Sequence, residues 1–478
     1  MVVGAAVAGA RLGLRPISDN STLVHLRTGI DLVRTWHIPR TDPYSFTAPG
    51  HPWVVQSWLA SLLYGLANEV GHHALIYLQG ALTAAVAAIV ALTARGPTAW
   101  RSGLAATLAI AASAPGWSPR PLLIEFVCLA LVVLIVERRA HPGWLIPVVW
   151  VWVNSHGSWP IGLAWLGARA AGEMIDRRGW PRVTLPRLAG FVAGLGVALL
   201  NPLTWRLLTF PLVSVQKEKT FQGIVEWRSP NFQQPDTLIA GAFILLSLII
   251  LLRARLPWTQ LLPVCAFLAL GLIAQRNLAP LGIVLAPALA TALAGGPTPL
   301  RPSSVGISGR LAVLGDRAHQ WLDTLARAQA WSAAVLGVAA VVTIGLVVVA
   351  TVEPVLDLHT YPVAATDFLA RTGRLGPAHR IAAVDVVGCY LIWRAGPTTK
   401  VWIDDRYDMY PTSVVNDNTV LVDADPTAPA VLERRQVDTV LWATNTNLPA
   451  ILIASGGWQV AYQDARWEVL EREGPAGL

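Results

Sequence analysis

The feature that most constrains this chain is a succession of long apolar segments with almost no charge inside them. Clear examples are Ala74 to Ala94, Leu122 to Val136, Leu238 to Leu252 and Trp331 to Val352. A helix of about 20 residues crosses a hydrocarbon layer about 30 Å thick. Hydrophobic residues make up 54% of the chain and charged residues only 14%, which is too apolar for an ordinary soluble domain. The sequence therefore predicts an integral membrane protein that crosses the bilayer many times.

Ten or eleven segments are predicted as transmembrane helices. The first of them is marginal in length for a span, so we expect that this helix is shortened. Together they make residues 1–352 the predicted transmembrane domain. The segments are Met1 to Leu14, Ala74 to Ala94, Ser102 to Pro115, Pro121 to Val136, Gly143 to Val153, Ser158 to Gly172, Leu188 to Leu200, Leu238 to Leu252, Trp258 to Ala274, Leu278 to Ala294 and Trp331 to Val352.

The distribution of arginines predicts the orientation. Cytoplasmic loops carry an excess of basic residues, and with a cytoplasmic N-terminus the inner loops would hold Arg95, Arg101, Arg138, Arg139, Arg177, Arg178, Arg182, Arg187, Arg253, Arg255, Arg301, Arg310, Arg317 and Arg327. The outer loops are then 15–73 and 204–236, the second of which is itself basic. This reading places the protein in the plasma membrane and its C-terminal domain outside. It also explains the net charge of +7 without a nucleic-acid partner.

From residue 353 to 478 the pattern changes to short β-rich runs that alternate with helical stretches, which is typical of a small α/β domain. The predicted strands are Arg380 to Asp385, Lys400 to Asp404, Val437 to Ala443 and Trp458 to Tyr462. The predicted helices are Pro362 to Arg371, Val387 to Arg394, Ala428 to Arg434 and Leu448 to Ala454. The predicted fold class is thus a membrane all-α bundle followed by a small extracytoplasmic α/β domain. This domain contains no GxGxxG or P-loop motif for a nucleotide.

The first outer loop is the segment richest in polar and aromatic residues, and its helices are expected to lie at the membrane interface. It contains Asp19, the run HLRTG that starts at His25, the run IPRTDPYSFTAPGHPW from Ile38 to Trp53, and then Ser57 before Trp-Leu. This loop resembles the first outer loop of bacterial multi-pass proteins related to the C-type (GT-C) membrane glycosyltransferases. Those enzymes take a sugar from a polyprenyl-phosphate carrier.

The resemblance continues along nearly the whole chain, through the residues Asn154-Ser-His156-Gly157, Asn201-Pro202, Glu226-Trp227-Arg-Ser-Pro230, Arg276-Asn277, Gly388-Cys-Tyr-Leu-Ile-Trp393 and Val401-Trp-Ile-Asp404-Asp-Arg406. It implies a GT-C-like fold, a polyprenyl-phosphate-linked sugar as donor and a cell-envelope glycan as acceptor. Asp19 would be the catalytic base. The residues expected to bind substrate are His25, Asp42, Asn154, His156, Glu226, Arg276 and Asn277.

The chain departs from the family pattern at its acidic positions. Ser21 stands where the family has the second acid of an opening pair, and Ser57 where it has an acid before Trp-Leu. In many members such carboxylates help to bind a divalent metal near the donor phosphate. A divalent metal therefore remains only a weak expectation here, and no metal ligand is assigned.

Several of these residues also have plain structural interpretations. Asp19 suits the N-cap of a following helix as well as it suits a base, and Asp42-Pro43 is a turn signal. His156 could bind a phosphate or close a helix hairpin. Arg276 needs an anionic partner or the membrane surface. Glu125, inside an apolar segment, is expected either to pair with Arg120 or to line a polar cavity.

Two further motifs each have two interpretations. Glu226-Trp227 is either a sugar-binding pair or a packed loop, and Asp404-Asp405-Arg406 is either a metal or sugar site or, as charged strand ends usually are, a set of solvated or capping residues. At the level of function, the chain is a transferase that uses a polyprenyl-phosphate sugar, or a non-catalytic relative that binds a lipid-linked glycan or an envelope partner. The missing acids favour the second possibility. A transporter is less favoured because no internal repeat of spans is visible.

Overall fold

The computed structural model describes residues 1–217, 225–295 and 330–473, and most of them are helical. Two compact units divide the chain, and each is built from three segments. The first unit comprises Met1–Pro16, His73–Leu208 and Gln222–Val355, and the second comprises Ile17–His72, Thr209–Phe221 and Leu356–Leu478. The predicted inner-loop residues Arg301, Arg310, Arg317 and Arg327 lie outside the described residues.

Every apolar segment predicted as a span forms a helix. Up to Val352 the described helices are α1 Val2–Gly13, α2 Asn20–Thr35, α3 Trp58–Val70, α4 Ala74–Thr93, α5 Ala99–Ser113, α6 Leu122–Glu137, α7 Leu145–Ser155, α8 Pro160–Arg177, α9 Thr184–Val197, α10 Arg206–Gln216, α11 Pro235–Leu252, α12 Trp258–Ile273, α13 Leu278–Ala294 and α14 Ala330–Val352. Helices α2 and α3 belong to the second unit.

Length and composition divide these helices further. In the described part of the chain, three helical segments are long and apolar enough to cross a membrane: Ala74–Thr93, Pro235–Leu252 and Gln275–Ala294. Four shorter apolar helices cover Val2–Gly13, Thr184–Val197, Trp258–Ile273 and Gly337–Val352. The helical nature of the predicted spans is thus confirmed, while their number as membrane crossings stays a prediction.

Helix α8 carries acidic residues that cap two neighbouring helices. The Glu173 carboxylate accepts hydrogen bonds from the backbone N–H groups of Val183 and Thr184, each at 2.8 Å, at the start of α9. Asp176 accepts from the backbone N–H groups of Trp258 and Thr259 at 2.8 and 2.9 Å, at the start of α12. The first N–H groups of a helix lack partners within the helix, and the positive end of the helix dipole also stabilises a carboxylate placed there. These contacts explain two of the four charged side chains that interrupt the apolar pattern of α8.

In the described part of the chain the second unit contains α2, α3, most of α10, five further helices and a four-stranded sheet. The helices are α15 Val363–Arg371, α16 Asp385–Ala395, α17 Thr412–Val422, α18 Ala428–Arg434 and α19 Leu448–Ser455. The strands are β1 Ile381–Ala382, β2 Thr439–Ala443, β3 Trp458–Gln463 and β4 Trp467–Arg472. The strand order is β1-β2-β4-β3, in which β1 and β2 are parallel and the other pairs are antiparallel.

The C-terminal segment contains a small sheet and helices as predicted, with differences in detail, while its boundary as a separate domain stays a prediction. Four of its helices were predicted, but α17 and β4 were not. Strand β4 pairs with β2 and β3, but its sequence WEVLER carries three charged residues and therefore does not have the apolar pattern from which a strand is predicted. The predicted strand Lys400 to Asp404 forms only isolated bridges, which join Val401 to Ser45 and to Ile381.

Helices α2 and α3 approach each other closely at a pair of glycines. A Cβ atom on Gly29 would lie 1.9 Å from the backbone oxygen of Ser61 and 2.7 Å from the backbone nitrogen of Gly65. Such distances are far below van der Waals contact, so only glycine permits this packing. The contact fixes the backbone of the HLRTG run, in which Gly29 is the last residue.

Candidate functional site

The first unit contains a cluster of charged side chains drawn from four connecting segments and from helix α6. Arg120, just before α6, donates hydrogen bonds from its two terminal nitrogens to the two oxygens of Glu226, at 3.0 and 2.8 Å. Each side chain is a little over one quarter exposed. Paired N–H donors on a carboxylate form one of the stronger polar contacts in proteins, and they also match the oxygens of a phosphate. Arg120 is therefore held with its donors organised for an anion.

A second arginine lies beside the same carboxylate. The guanidinium carbon of Arg276 lies 4.5 Å from the centre of the Trp227 ring, which is a cation–π contact. The backbone N–H of Gln275 donates to the carbonyl oxygen of Arg228 at 2.9 Å, so the two loops that carry Arg276 and Glu226 are joined. The stacked ring limits the positions open to the arginine and leaves the edge of its guanidinium for an anion.

The electrostatics of Glu226 reflect these neighbours. Burial raises the pKa of the Glu226 carboxyl, but the positive charges of Arg120 and Arg276, joined by His156 when its ring is protonated, act against burial, and the net pKa is lowered. The carboxylate is therefore ionised at neutral pH. Three cationic or potentially cationic side chains surround this single carboxylate, a setting that also suits a more highly charged anion such as a phosphate.

Glu125 and His156 form the inner part of the cluster. Glu125 is 1% exposed, and its Oε2 lies 2.8 Å from Nδ1 of His156, which follows the last residue of α7. His156 Nδ1 also lies 2.8 Å from Oγ of Ser158, which accepts a hydrogen bond from the Trp152 ring at 3.0 Å. Glu125 Oε2 itself is not aligned for a hydrogen bond to any described residue. A buried carboxylate with one incompletely satisfied oxygen is costly, which marks this contact as more than packing.

Asn154 and Asn277, both predicted to bind substrate, make backbone contacts. The Asn154 amide donates to the Trp150 carbonyl oxygen at 2.7 Å within α7, and Asn154 is fully buried. The Asn277 amide donates to the Leu270 carbonyl oxygen at 3.0 Å, where it joins the end of α12 to the start of α13. Both contacts position the helix ends on which His156 and Arg276 lie.

In the second unit, Asp19 is the N-cap of α2. Its Oδ1 accepts a hydrogen bond from the backbone N–H of Ser21 at 3.0 Å, and the residue is half-buried. The structural interpretation of Asp19 is thus realised, while its role as a base stays a prediction. His25, one turn further along α2, contacts the Oγ of Ser61 on α3 through its Nδ1 at 3.0 Å.

Asp42 is buried in an ion-pair network. Its Oδ1 lies 2.8 Å from a terminal nitrogen of Arg406, which also donates to both oxygens of Asp404 at 2.7 and 2.6 Å. Tyr410 donates to Asp404 at 2.6 Å, and the Arg406 guanidinium lies 4.5 Å from the centre of the Trp53 ring. Neither aspartate side chain is exposed. The turn reading of Asp42 and a buried, structural reading of Asp404 and Arg406 are therefore the ones that the geometry favours.

Spacing along the chain did not reveal these pairings. The sequence offered Arg120 as the partner of Glu125, but the structure gives Arg120 a two-point contact with Glu226 and brings Glu125 against His156. Arg120 and Glu226 are 106 positions apart. The sequence marked Glu226 through the motif that begins with it, and marked Arg120 as a charged residue just before an apolar segment, but nothing in it joined the two.

Comparisons with known proteins rest on the fold. No family model matches the sequence, and no curated protein matches it. Among solved structures, the chain is similar to ArnT from Cupriavidus metallidurans in the apo state, with 16% sequence identity, a TM-score of 0.50 and coverage of 98% of this chain and 96% of that one. The chain therefore shares the fold of ArnT. ArnT from the same organism bound to undecaprenyl phosphate gives 15% identity, a TM-score of 0.49 and coverage of 98% and 97%.

Within this fold the predicted site residues divide between the two units. Asn154, His156, Glu226, Arg276 and Asn277 belong to the first unit, and Asp19, His25 and Asp42 to the second. The first group includes the charged cluster.

Among residues 1–217, 225–295 and 330–473, no group of three or more His, Cys, Asp or Glu side chains could hold a metal ion. Glu226 instead binds Arg120, and Glu125 lies against His156.

Proposed function

We propose that this protein is a membrane glycosyltransferase that takes a sugar from a polyprenyl-phosphate donor and passes it to a cell-envelope acceptor. The observation that carries the proposal is the charged cluster of the first unit, in which Arg120 and Arg276 flank one carboxylate. The GT-C-like fold and the motif resemblance of the first loop support the same conclusion. The arginine distribution supports an outer-face reaction.

The donor phosphate would bind where Glu226 now bridges the cations. A phosphodiester carries one negative charge and the released polyprenyl phosphate up to two, so both match the positive charge of Arg120 and Arg276. Charge on the phosphate grows as the sugar leaves, and fixed guanidinium groups stabilise that growth. The two arginines would thus act both on binding and on the leaving group.

A binding assay tests this assignment directly. Purified protein in lipid nanodiscs would be titrated with radiolabelled polyprenyl phosphate, and Arg276→Ala should weaken binding about 10- to 100-fold, because a hydrogen bond to a charged group is worth about 1.5 to 3 kcal/mol. The matched control is Arg255→Ala, which removes an exposed arginine from a predicted inner loop. Equal affinity of the two variants would remove Arg276 from the site.

A second candidate function, non-catalytic binding of a lipid-linked glycan, is favoured by Ser21 and Ser57 at the positions of family acids and by the capping role of Asp19. Incubation with a polyprenyl-phosphate-linked radiolabelled sugar and an extract of envelope glycans separates the two. Transfer of label to the glycan fraction supports the enzyme. Binding of the donor with no transfer, at any pH from about 5 to 9, would support the binding protein instead.

A further inference from the structure

The GT-C-like transferase that we propose needs a group to remove the proton of the acceptor hydroxyl, and the charged cluster contains a histidine suited to that step. His156 is held between two elements, with its Nδ1 2.8 Å from Glu125 Oε2 and 2.8 Å from Ser158 Oγ. Its side chain is 16% exposed, so water or a substrate hydroxyl can reach it, whereas Glu125 is sealed from solvent at 1%. A partly exposed imidazole backed by a buried carboxylate is the arrangement expected of a positioned base.

The two contacts at Nδ1 determine which tautomer the ring adopts. Glu125 Oε2 lies 2.8 Å from Nδ1, and although the two atoms are not aligned for a hydrogen bond, its negative charge would repel a lone pair on Nδ1, so we expect the hydrogen of the neutral ring on Nδ1. Ser158 Oγ, which already accepts from the Trp152 ring, has a second lone pair for the same hydrogen. The lone pair of the ring is then on Nε2, and among the described residues Nε2 makes no hydrogen bond.

The other carboxylates are poorer proton acceptors. Glu226 is bound at both oxygens by Arg120, and the neighbouring cations lower its pKa despite its burial, so it holds a proton weakly. Asp19 uses an oxygen to cap α2. The charged groups that face His156 are therefore Glu125 behind it and Glu226 with its two arginines beside it.

We propose that His156 Nε2 accepts the proton of the acceptor hydroxyl, with Glu125 as the positioning residue that sets its tautomer and stabilises the imidazolium. The proposal rests on the function proposed above. As the acceptor oxygen forms its bond to C1 of the sugar, the bond from C1 to the phosphate oxygen breaks and its electron pair leaves with polyprenyl phosphate. The proton passes from the hydroxyl to Nε2 and later to solvent.

The test uses the full chain in nanodiscs and measures sugar transfer and lipid-phosphate binding side by side. His156→Gln should lower kcat about 100- to 10,000-fold, the usual contribution of a general base, with a much smaller change in affinity for polyprenyl phosphate. The matched control is His72→Gln, which replaces an exposed histidine of the second unit. A His156→Gln variant that transfers sugar at the wild-type rate, or one that loses binding and transfer in equal proportion, would overturn the assignment.

Glu125→Gln supplies a readout that a merely structural role would not move. Loss of the negative charge disfavours the imidazolium, so the acid limb of the pH profile of kcat/KM should shift to lower pH by about 1 to 3 units. An unshifted limb would show that Glu125 does not act through His156. Failure of the proposed function is a different result, since wild-type protein would then transfer no sugar at all.

Discussion

Replacement of Arg406 by methionine should destabilise the second unit strongly. Arg406 is 7% exposed and contacts Asp42 at 2.8 Å and Asp404 at 2.6 Å, and neither aspartate side chain is exposed. Methionine keeps the apolar stem that packs near the Trp53 ring but removes the positive charge. Two carboxylates would then remain buried without a counter-charge, and the loss of one partner of a buried ion pair costs about 3 to 5 kcal/mol.

Thermal unfolding of the full chain in detergent measures this cost. Tryptophan fluorescence is a suitable signal, because the Trp53 ring lies 4.5 Å from the Arg406 guanidinium. For a domain of about 150 to 250 residues, 1 kcal/mol corresponds to about 2 to 4 °C, so the melting temperature of the second unit should fall by roughly 6 to 20 °C. Arg371→Met, at an exposed position on α15, is the control and should change it little.

A neutral triple variant completes the design. Asp42→Asn and Asp404→Asn, added to Arg406→Met, remove the buried charges together and should recover part of the lost stability, since an apolar or neutral replacement of a whole ion network is often tolerated. The reasoning is refuted if the free energy of unfolding of Arg406→Met lies within about 1 kcal/mol of the wild-type value. It is also refuted if the triple variant is less stable than the single one.

Two further predictions concern the second unit. Burial raises the pKa of the half-buried Asp408 to about 6, and Arg406 and Lys217 offset only part of this effect. The folded chain then binds the Asp408 proton more tightly than the unfolded chain does. Protonation of Asp408 therefore stabilises the fold at about pH 4, and this stabilisation is lost as the pH rises through about 6. Asp408→Asn should therefore raise the free energy of unfolding at pH 7 by about 1 to 3 kcal/mol and flatten its pH dependence between pH 4 and 6. Denaturant titrations at several pH values measure this, and a pH dependence equal to that of the wild type would contradict the prediction. Gly29→Ala should lower stability by about 1 to 3 kcal/mol, because the new Cβ would lie 1.9 Å from the Ser61 backbone oxygen. The control is Gly167→Ala, whose Cβ meets open space. Similar melting temperatures for the two variants would refute the packing argument.

Local features of the chain were readable from the sequence because they depend on neighbours along it. Apolar runs of 11 to 23 residues form helices, since a continuous helix satisfies its own backbone hydrogen bonds in an apolar setting. Asp19 could be assigned as a helix cap because the capping contact spans only two residues. Alternating short runs after residue 353 likewise indicated the small α/β domain.

Only the tertiary structure decided which charges meet. Arg120 with Glu226, Glu125 with His156, and Asp42 with Arg406 are pairs whose members lie on different elements, so no periodicity of the chain connects them. Carboxylates therefore have three different roles: Glu226 is an anion between arginines, Glu125 is the partner of an imidazole, and Asp42 is a buried structural ion. The sequence by itself determined the helices and the kinds of side chain at their ends, whereas the packing of those helices determined each charge's partner, because electrostatic energy depends on distances in space.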